Sequence, residues 1–237
     1  MSSIVGIKLS DMLRHLKFSD YQNVYEPAED TFLLIDAIVN DKLFLRIKKP
    51  NICVEIGCGT GSVSVVLSKL LNQILDISPY FVLTDINAVA ANIAYSTCVH
   101  NGLKHFDIVQ TDLLSGLENY LKGKIDVLVF NPPYVPTPSS EVGKVDITAA
   151  WAGGIRGREV IDRLLPKLPD LLSTQGVFYI LLVEENEPAE IQAIVHNLGL
   201  ASKILIKQQA KNEFQLVEIV IDIVNDRHEF QHCKPKF

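Results

Sequence analysis

From residue 51 onward, short apolar runs alternate with longer segments of helical spacing, the arrangement that builds a parallel sheet covered by helices on both faces. The runs predict strands over 51–56, 80–84, 106–110, 125–130 and 176–183. Between them, 62–71 has the apolar density of a buried helix, and 88–99 begins just after Asn87, a side chain suited to capping the free amides of a first turn. Upstream, Phe32, Leu33, Ile35, Ala37 and Ile38 crowd one side of a helix predicted over 28–39, with Glu29 and Asp30 at its amino end, where the helix dipole favours negative charge.

Pro132, Pro133, Pro136 and Pro138 remove backbone donors after residue 130, so the stretch to about residue 149 reads as a long loop, a common seat of function. Helix resumes over 157–172, and a later helix holds Pro188 in its first turn. Strands over 200–207 and 214–223 flank a short polar connection with Lys211 and Asn212, which predicts an antiparallel hairpin. The pattern therefore predicts an α/β fold with a seven-stranded, mostly parallel sheet, an antiparallel C-terminal hairpin and helices on both faces. It reads as a single domain over 1–237, of which about residues 1–27 form a short N-terminal extension.

Composition adds exclusions. The chain is 48% hydrophobic and 21% charged, as in a compact enzyme. Neither an apolar run of about 18 residues nor a basic start with an apolar stretch is present, so neither membrane insertion nor secretion is expected. Cys53, Cys58, Cys98 and Cys233 lack paired spacing and read as free thiols, which predicts a reducing, cytoplasmic compartment, with the nucleus as a second one. His228, His232 and Cys233 offer too few ligands for a tetrahedral set, so no metal is expected. A net charge of −6 disfavours direct binding to nucleic acid, whose affinity draws on a basic excess.

Two segments carry candidate chemistry. In the first, Gly57, Gly59 and Gly61 follow Glu55 in a strand-to-helix turn, a spacing that departs from the dinucleotide fingerprint but still lets backbone approach a ligand. Asp85 ends the next strand, where its carboxylate can accept ribose hydroxyls. After the third strand, Asp112 or a neighbouring amide can meet adenine, and Leu113 can cover the ring face. All these groups fall on one crevice at the carboxyl edge of the sheet.

The second segment, Asn131-Pro132-Pro133-Tyr134, leaves the fourth strand at that same edge. Methylating a planar nitrogen means turning a delocalised lone pair toward an electrophilic carbon, so both hydrogens must be held by acceptors. The side-chain oxygen of Asn131 can take one and a backbone carbonyl of the stiff proline pair the other, while the Tyr134 ring can stack on the planar group. Positive charge developing on nitrogen is balanced by the two acceptors.

These residues resemble the class I, Rossmann-like methyltransferases, and within them the HemK-like family that methylates the glutamine of the GGQ motif in translation termination factors. The resemblance rests on Tyr25-Glu26-Pro27-Ala28-Glu29-Asp30-Thr31-Phe32-Leu33-Leu34, on 55–61, on 131–134, and on Ala150-Trp151-Ala152-Gly153-Gly154 with Gly157-Arg158-Glu159. It implies S-adenosylmethionine as cofactor, contacted by Thr31, Glu55, Gly57, Asp85, Asp112, Leu113 and Asn131, and a class I release factor as substrate. The chain is similar to the eukaryotic and archaeal branch, which implies a heterodimer with a small zinc-binding activator subunit. The third strand, at the sheet edge in this fold, and the apolar helix over 88–99 offer that partner a surface. Alternatives are methylation of adenine N6 in DNA, of a protein lysine, or a noncatalytic scaffold subunit.

Overall fold

The computed structural model describes residues 9–209 and 217–224. A seven-stranded sheet comprises β1 (Ile52–Ile56), β2 (Tyr80–Asp85), β3 (Phe106–Gln110), β4 (Ile125–Phe130), β5 (Leu172–Val183), β6 (Ala201–Gln209) and β7 (Val217–Val224). Its order is β3-β2-β1-β4-β5-β7-β6, parallel from β3 to β5 and antiparallel at β7 and β6. This is the mostly parallel α/β sheet with an antiparallel hairpin that the sequence pattern predicts. The connection holding Lys211 and Asn212 lies outside the described residues, as do 214–216 of the predicted last strand and the His228, His232, Cys233 group.

Helices α1 (Leu9–Met12), α2 (Glu29–Asn40), α3 (Lys42–Lys48), α4 (Ser62–Leu75) and α5 (Ala88–His100) feed one core, and α6 (Glu118–Leu121), α7 (Glu159–Leu164), α8 (Leu168–Leu171) and α9 (Pro188–Asn197) feed the other. The central strands supply both cores by alternation. Val127 and Val129 join the first and Leu128 and Phe130 the second, as do Tyr179 and Leu181 against Phe178 and Ile180. Burial on both faces is why these strands read as continuous apolar runs rather than as alternating ones.

Three expectations need correction. The helix predicted over 157–172 is two short helices, α7 and α8, separated by a 3-10 turn over Leu165–Lys167. Pro166 and Pro169 each sit at the start of a new segment, where a missing N–H costs least. Strand β5 starts at Leu172 rather than 176; its polar opening is anchored where the Ser173 hydroxyl donates to Asp126 at 2.7 Å. Helix α3, an insertion between α2 and β1, has no counterpart in the predicted elements.

Two parts of this architecture bear on function. The segment before α2 is pinned to α5, because Asn101 Nδ2 donates to the Met12 carbonyl at 2.9 Å and Asn87 Nδ2 to the Asn23 carbonyl at 2.8 Å. That pinning brings residues 24–27 over the carboxyl edge of the sheet. Strand β3 is an edge strand, and beside it α5 exposes Tyr95 and Val99, with the Tyr95 ring 5.6 Å from that of Phe106.

At the opposite, amino edge, Asp126 Oδ2 accepts from the amides of Asn51 and Ile52 at 2.8 and 3.1 Å, so one carboxylate joins β1, β4 and β5. Asp126→Ala strands these donors and is expected to lower stability by roughly 1.5–3 kcal/mol in denaturant unfolding while leaving ligand affinity at the far edge unchanged.

Candidate active site

The carboxyl ends of β1, β2 and β4 open onto one cleft with about 1060 Å³ of empty space, part of it continuous with solvent. Thr31, Glu55, Gly57, Gly59, Asp85, Asp112, Leu113, Asn131 and Pro133 all line it. Of the remaining sequence candidates, Gly61, Pro132 and Tyr134 are not part of its wall.

Between β1 and α4 the chain turns through Gly57, Gly59 and Gly61, all at positive φ of 62°, 51° and 76°. Asp85 fastens the turn, its Oδ2 accepting from the Gly59 amide and its Oδ1 from the Asn87 amide, each at 2.9 Å. A Cβ at Gly59 would meet no atom within 4 Å, so that position faces open space. Gly61 instead packs against Ala94 of α5, where a Cβ would lie 3.2 Å from its Cα. Gly61 is therefore a packing residue that lets α4 start close to α5.

Burial pushes the Glu55 carboxyl up to about 8, against bonds from the Ser64 hydroxyl and amide that pull it down and the nearby Asp85 charge that adds to the rise. The same burial raises Asp85, opposed by amides of Asn87, Gly59 and Ile86. Across the cleft, Asp112 pairs with Arg163 of α7, which also lines the wall. Leu113 is buried at a φ of 52°, a left-handed conformation that costs a non-glycine residue on the order of 1–3 kcal/mol and presents its side chain to the cleft.

Where β4 ends, Asn131 Nδ2 donates to Asp30 Oδ2 at 2.9 Å, and Asn131 Oδ1 is buried without accepting a hydrogen bond from any of the described residues. Asp30, in the first turn of α2, is 3% exposed. Its Oδ1 accepts from the Tyr25 hydroxyl at 3.0 Å and the Thr31 amide at 2.6 Å, and its Oδ2 also accepts from the Tyr134 hydroxyl at 3.3 Å. Tyr134 thus packs against the sheet core with its hydroxyl turned to Asp30, rather than laying its ring on the cleft wall.

A second layer holds this loop from behind. Val135 N donates to the Trp151 carbonyl and Gly153 N to the Val135 carbonyl, at 3.0 and 2.9 Å, so residues 151–154 run beside the proline loop. At Gly157, φ is 66° and a Cβ would fall 1.8 Å from the Tyr134 carbonyl, so only glycine fits. Asn186, fully buried after β5, donates from Nδ2 to the carbonyls of Tyr134 and Arg156, both at 2.9 Å. Beside it the guanidinium of Arg158, 2% exposed, pairs with Asp162 and Glu190 at 2.8 Å. The segments 150–154 and 157–159 are therefore the buttress of the 131–134 loop.

Sequence reasoning missed Asn186 and Arg163 and gave Asp30 no role at the site. A polar run directly after an apolar strand, as at 184–187, is a signal for the first; nothing local marks the other two. Among the described residues, no cluster of metal-ligating side chains occurs.

The family model described as Methyltransferase small domain matches residues 31–148. The chain is 44% identical over 199 residues to human Methyltransferase HEMK2, covering 84% of this chain and 90% of that protein. It is 38% identical over 210 residues to the eRF1 methyltransferase catalytic subunit mtq2 of Schizosaccharomyces pombe, with 84% and 89% covered. A solved E. cuniculi Mtq2–Trm112 complex, responsible for methylating the eRF1 translation termination factor, matches at a TM-score of 0.59 and 27% identity, covering 86% of this chain and 99% of that one.

The raised Glu55 carboxyl has a stability consequence in the ligand-free protein. The folded state keeps a proton that the unfolded chain releases above about 4.5, so this contribution is complete below that pH and is lost as pH climbs toward about 8. Unfolding free energies measured across that range are expected to show Glu55→Gln gaining on the parent with rising pH, by an amount on the order of several kcal/mol, and levelling off above it.

Proposed function

Because the chain belongs to the HemK-like methyltransferases, within the Methyltransferase small domain family, we propose that it uses S-adenosylmethionine to methylate the amide nitrogen of the GGQ glutamine in a class I translation termination factor. The observation that carries this reading is the buried Oδ1 of Asn131, an acceptor with no partner among the described residues, on a side chain that lines the cleft. A buried acceptor left unmatched costs free energy, so its partner belongs to a ligand.

The cleft fits the cofactor. Gly59 presents backbone to open space, Asp85 stands where ribose hydroxyls would approach, and Asp112 with Leu113 stands at the next strand end for adenine. Bound there, S-adenosylmethionine supplies an electrophilic methyl on a sulfonium. Asn131 Oδ1 accepts one hydrogen of the incoming amide, and a carbonyl of the proline pair takes the other, which turns the nitrogen lone pair out of conjugation. The same acceptors meet the positive charge that grows on nitrogen, so no proton need leave beforehand; as the N–C bond forms the carbon–sulfur bond breaks to leave a thioether, and the nitrogen then loses one of its two protons to water. The 150–159 buttress keeps the carbonyls in place, so little reorganisation accompanies the reaction.

The small partner subunit is read onto the β3 edge, where unpaired backbone groups and the exposed Tyr95 and Val99 adjoin. That the partner binds zinc is an expectation from the family resemblance, and that the pair works in the cytoplasm and nucleus is the expectation from the unpaired cysteine spacing.

Asn131→Ala is expected to lower methyl transfer to a termination factor by at least about 100-fold while cofactor affinity stays within a few-fold, read by labelled-methyl incorporation and calorimetry. DNA tested in parallel is expected to stay unlabelled; labelled DNA with an unlabelled factor reverses the assignment. Tyr95→Glu is expected to weaken association with the small subunit by at least roughly 10-fold, measured by titration, without changing cofactor affinity.

A further inference from the structure

We infer that Asp30 is a positioning residue for methyl transfer: its buried carboxylate sets which end of the Asn131 amide faces the acceptor. The inference rests on the acceptor role given to Asn131 above and assigns that role a physical cause. An asparagine amide has two ends of nearly equal size and opposite polarity, so shape alone does not select the oxygen for the cleft. A carboxylate 2.9 Å from one end does, because an oxygen facing Asp30 Oδ2 at that distance would set two acceptors against each other, whereas the NH2 group makes a charge-assisted bond. Asp30 thereby turns Nδ2 inward and leaves Oδ1 free, the atom found without a partner among the described residues.

Asp30 is itself held firmly enough to act as a reference. It sits in the first turn of α2, where the helix dipole favours its charge, and the Thr31 amide donates to Oδ1 at 2.6 Å. Tyr25 and Tyr134 approach with their hydroxyls from the segment before α2 and from the proline loop. These partners, among the described residues, are neutral donors whose dipoles solvate the negative charge. Donation from Nδ2 into that charge polarises the amide and makes Oδ1 a stronger acceptor. The tyrosine that ends the 131–134 motif then acts through Asp30, consistent with its absence from the cleft wall.

The test is a reversal of polarity. In Asp30→Asn the new NH2 group can face residue 131, which turns its oxygen inward and its NH2 toward the acceptor. The kcat with a GGQ-bearing termination factor is expected to fall on the order of 10- to 100-fold, while KM for the factor, cofactor Kd and melting temperature move little. In D30N/N131D the NH2 of residue 30 meets one oxygen of the new carboxylate, the other oxygen faces the acceptor, and kcat is expected to recover at least roughly 10-fold over D30N. A reading independent of turnover uses the ligand-free protein. The side-chain NH2 protons of Asn131, assigned by their loss in N131D, are expected to be protected from exchange in the parent and unprotected in D30N. The inference is overturned by a D30N enzyme with unchanged kcat, by a folded double variant no faster than D30N, or by loss of folding in both, which assigns Asp30 to stability alone. A fully active Asn131→Ala overturns the acceptor role itself, so the two failures are distinguishable.

Discussion

The reversal of strand order between β1 and β4 is the constraint on which the rest of the molecule depends. From β1 the chain goes on to build β2 and β3 on one side, and from β4 it goes on to β5 on the other, so the loops leaving these two neighbours diverge and a crevice opens between them. The glycine turn after β1 and the proline loop after β4 become its two lips. They remain close: a Cβ on Gly57 would lie 3.4 Å from the Phe130 ring and 3.9 Å from the Asn131 carbonyl. The cleft along the ends of β1 and β2 therefore runs up to Asn131.

Such a loop, with no N–H at two successive residues, cannot hold itself by a ladder of its own, and its position comes from groups brought to it by the fold. Asp30 reaches it from the front on α2, and Asn186 from behind at the end of β5. Burying Asn186 completely is tolerable because each end is matched: Oδ1 accepts from Val183 N at 2.8 Å and Nδ2 donates to two carbonyls. Buried Arg158 follows the same rule, with two carboxylates for its guanidinium, and holds α7 to α9. Specificity of geometry at the loop is thus made from fully satisfied polar contacts placed where apolar packing would leave orientation open.

The sheet was legible because its signal is local. Residues 127–130 and 177–182 are apolar on both faces, and Asn87 caps α5 with its side chain accepting from Val89 N at 2.9 Å, as its place in the sequence suggests. The glycine spacing, Asp85 and residues 131–134 stand out for the same reason, since each lies next to the strand that positions it. The connection from Asp30 to Asn131 spans 101 residues and that from Asn186 to the Tyr134 carbonyl spans 52, and no local pattern records such pairs. Tyr134 shows the consequence. Its ring suggests stacking, but a hydroxyl 3.3 Å from a buried carboxylate hundreds of atoms away along the chain gives it a different part.

The same carboxylate bears on why residue 131 is an amide. An aspartate there would place a second negative charge about one hydrogen bond from Asp30, in a site with little water, and the pair could persist only by sharing a proton. One oxygen of that pair would then be a donor, of the wrong polarity for an NH2 group. Asparagine avoids the conflict by carrying both polarities in one neutral group, spending its donor on Asp30 and keeping its acceptor for the cleft. In the role proposed for it, this neutral acceptor favours a nitrogen that arrives uncharged, and the charge behind it is felt most as positive charge develops.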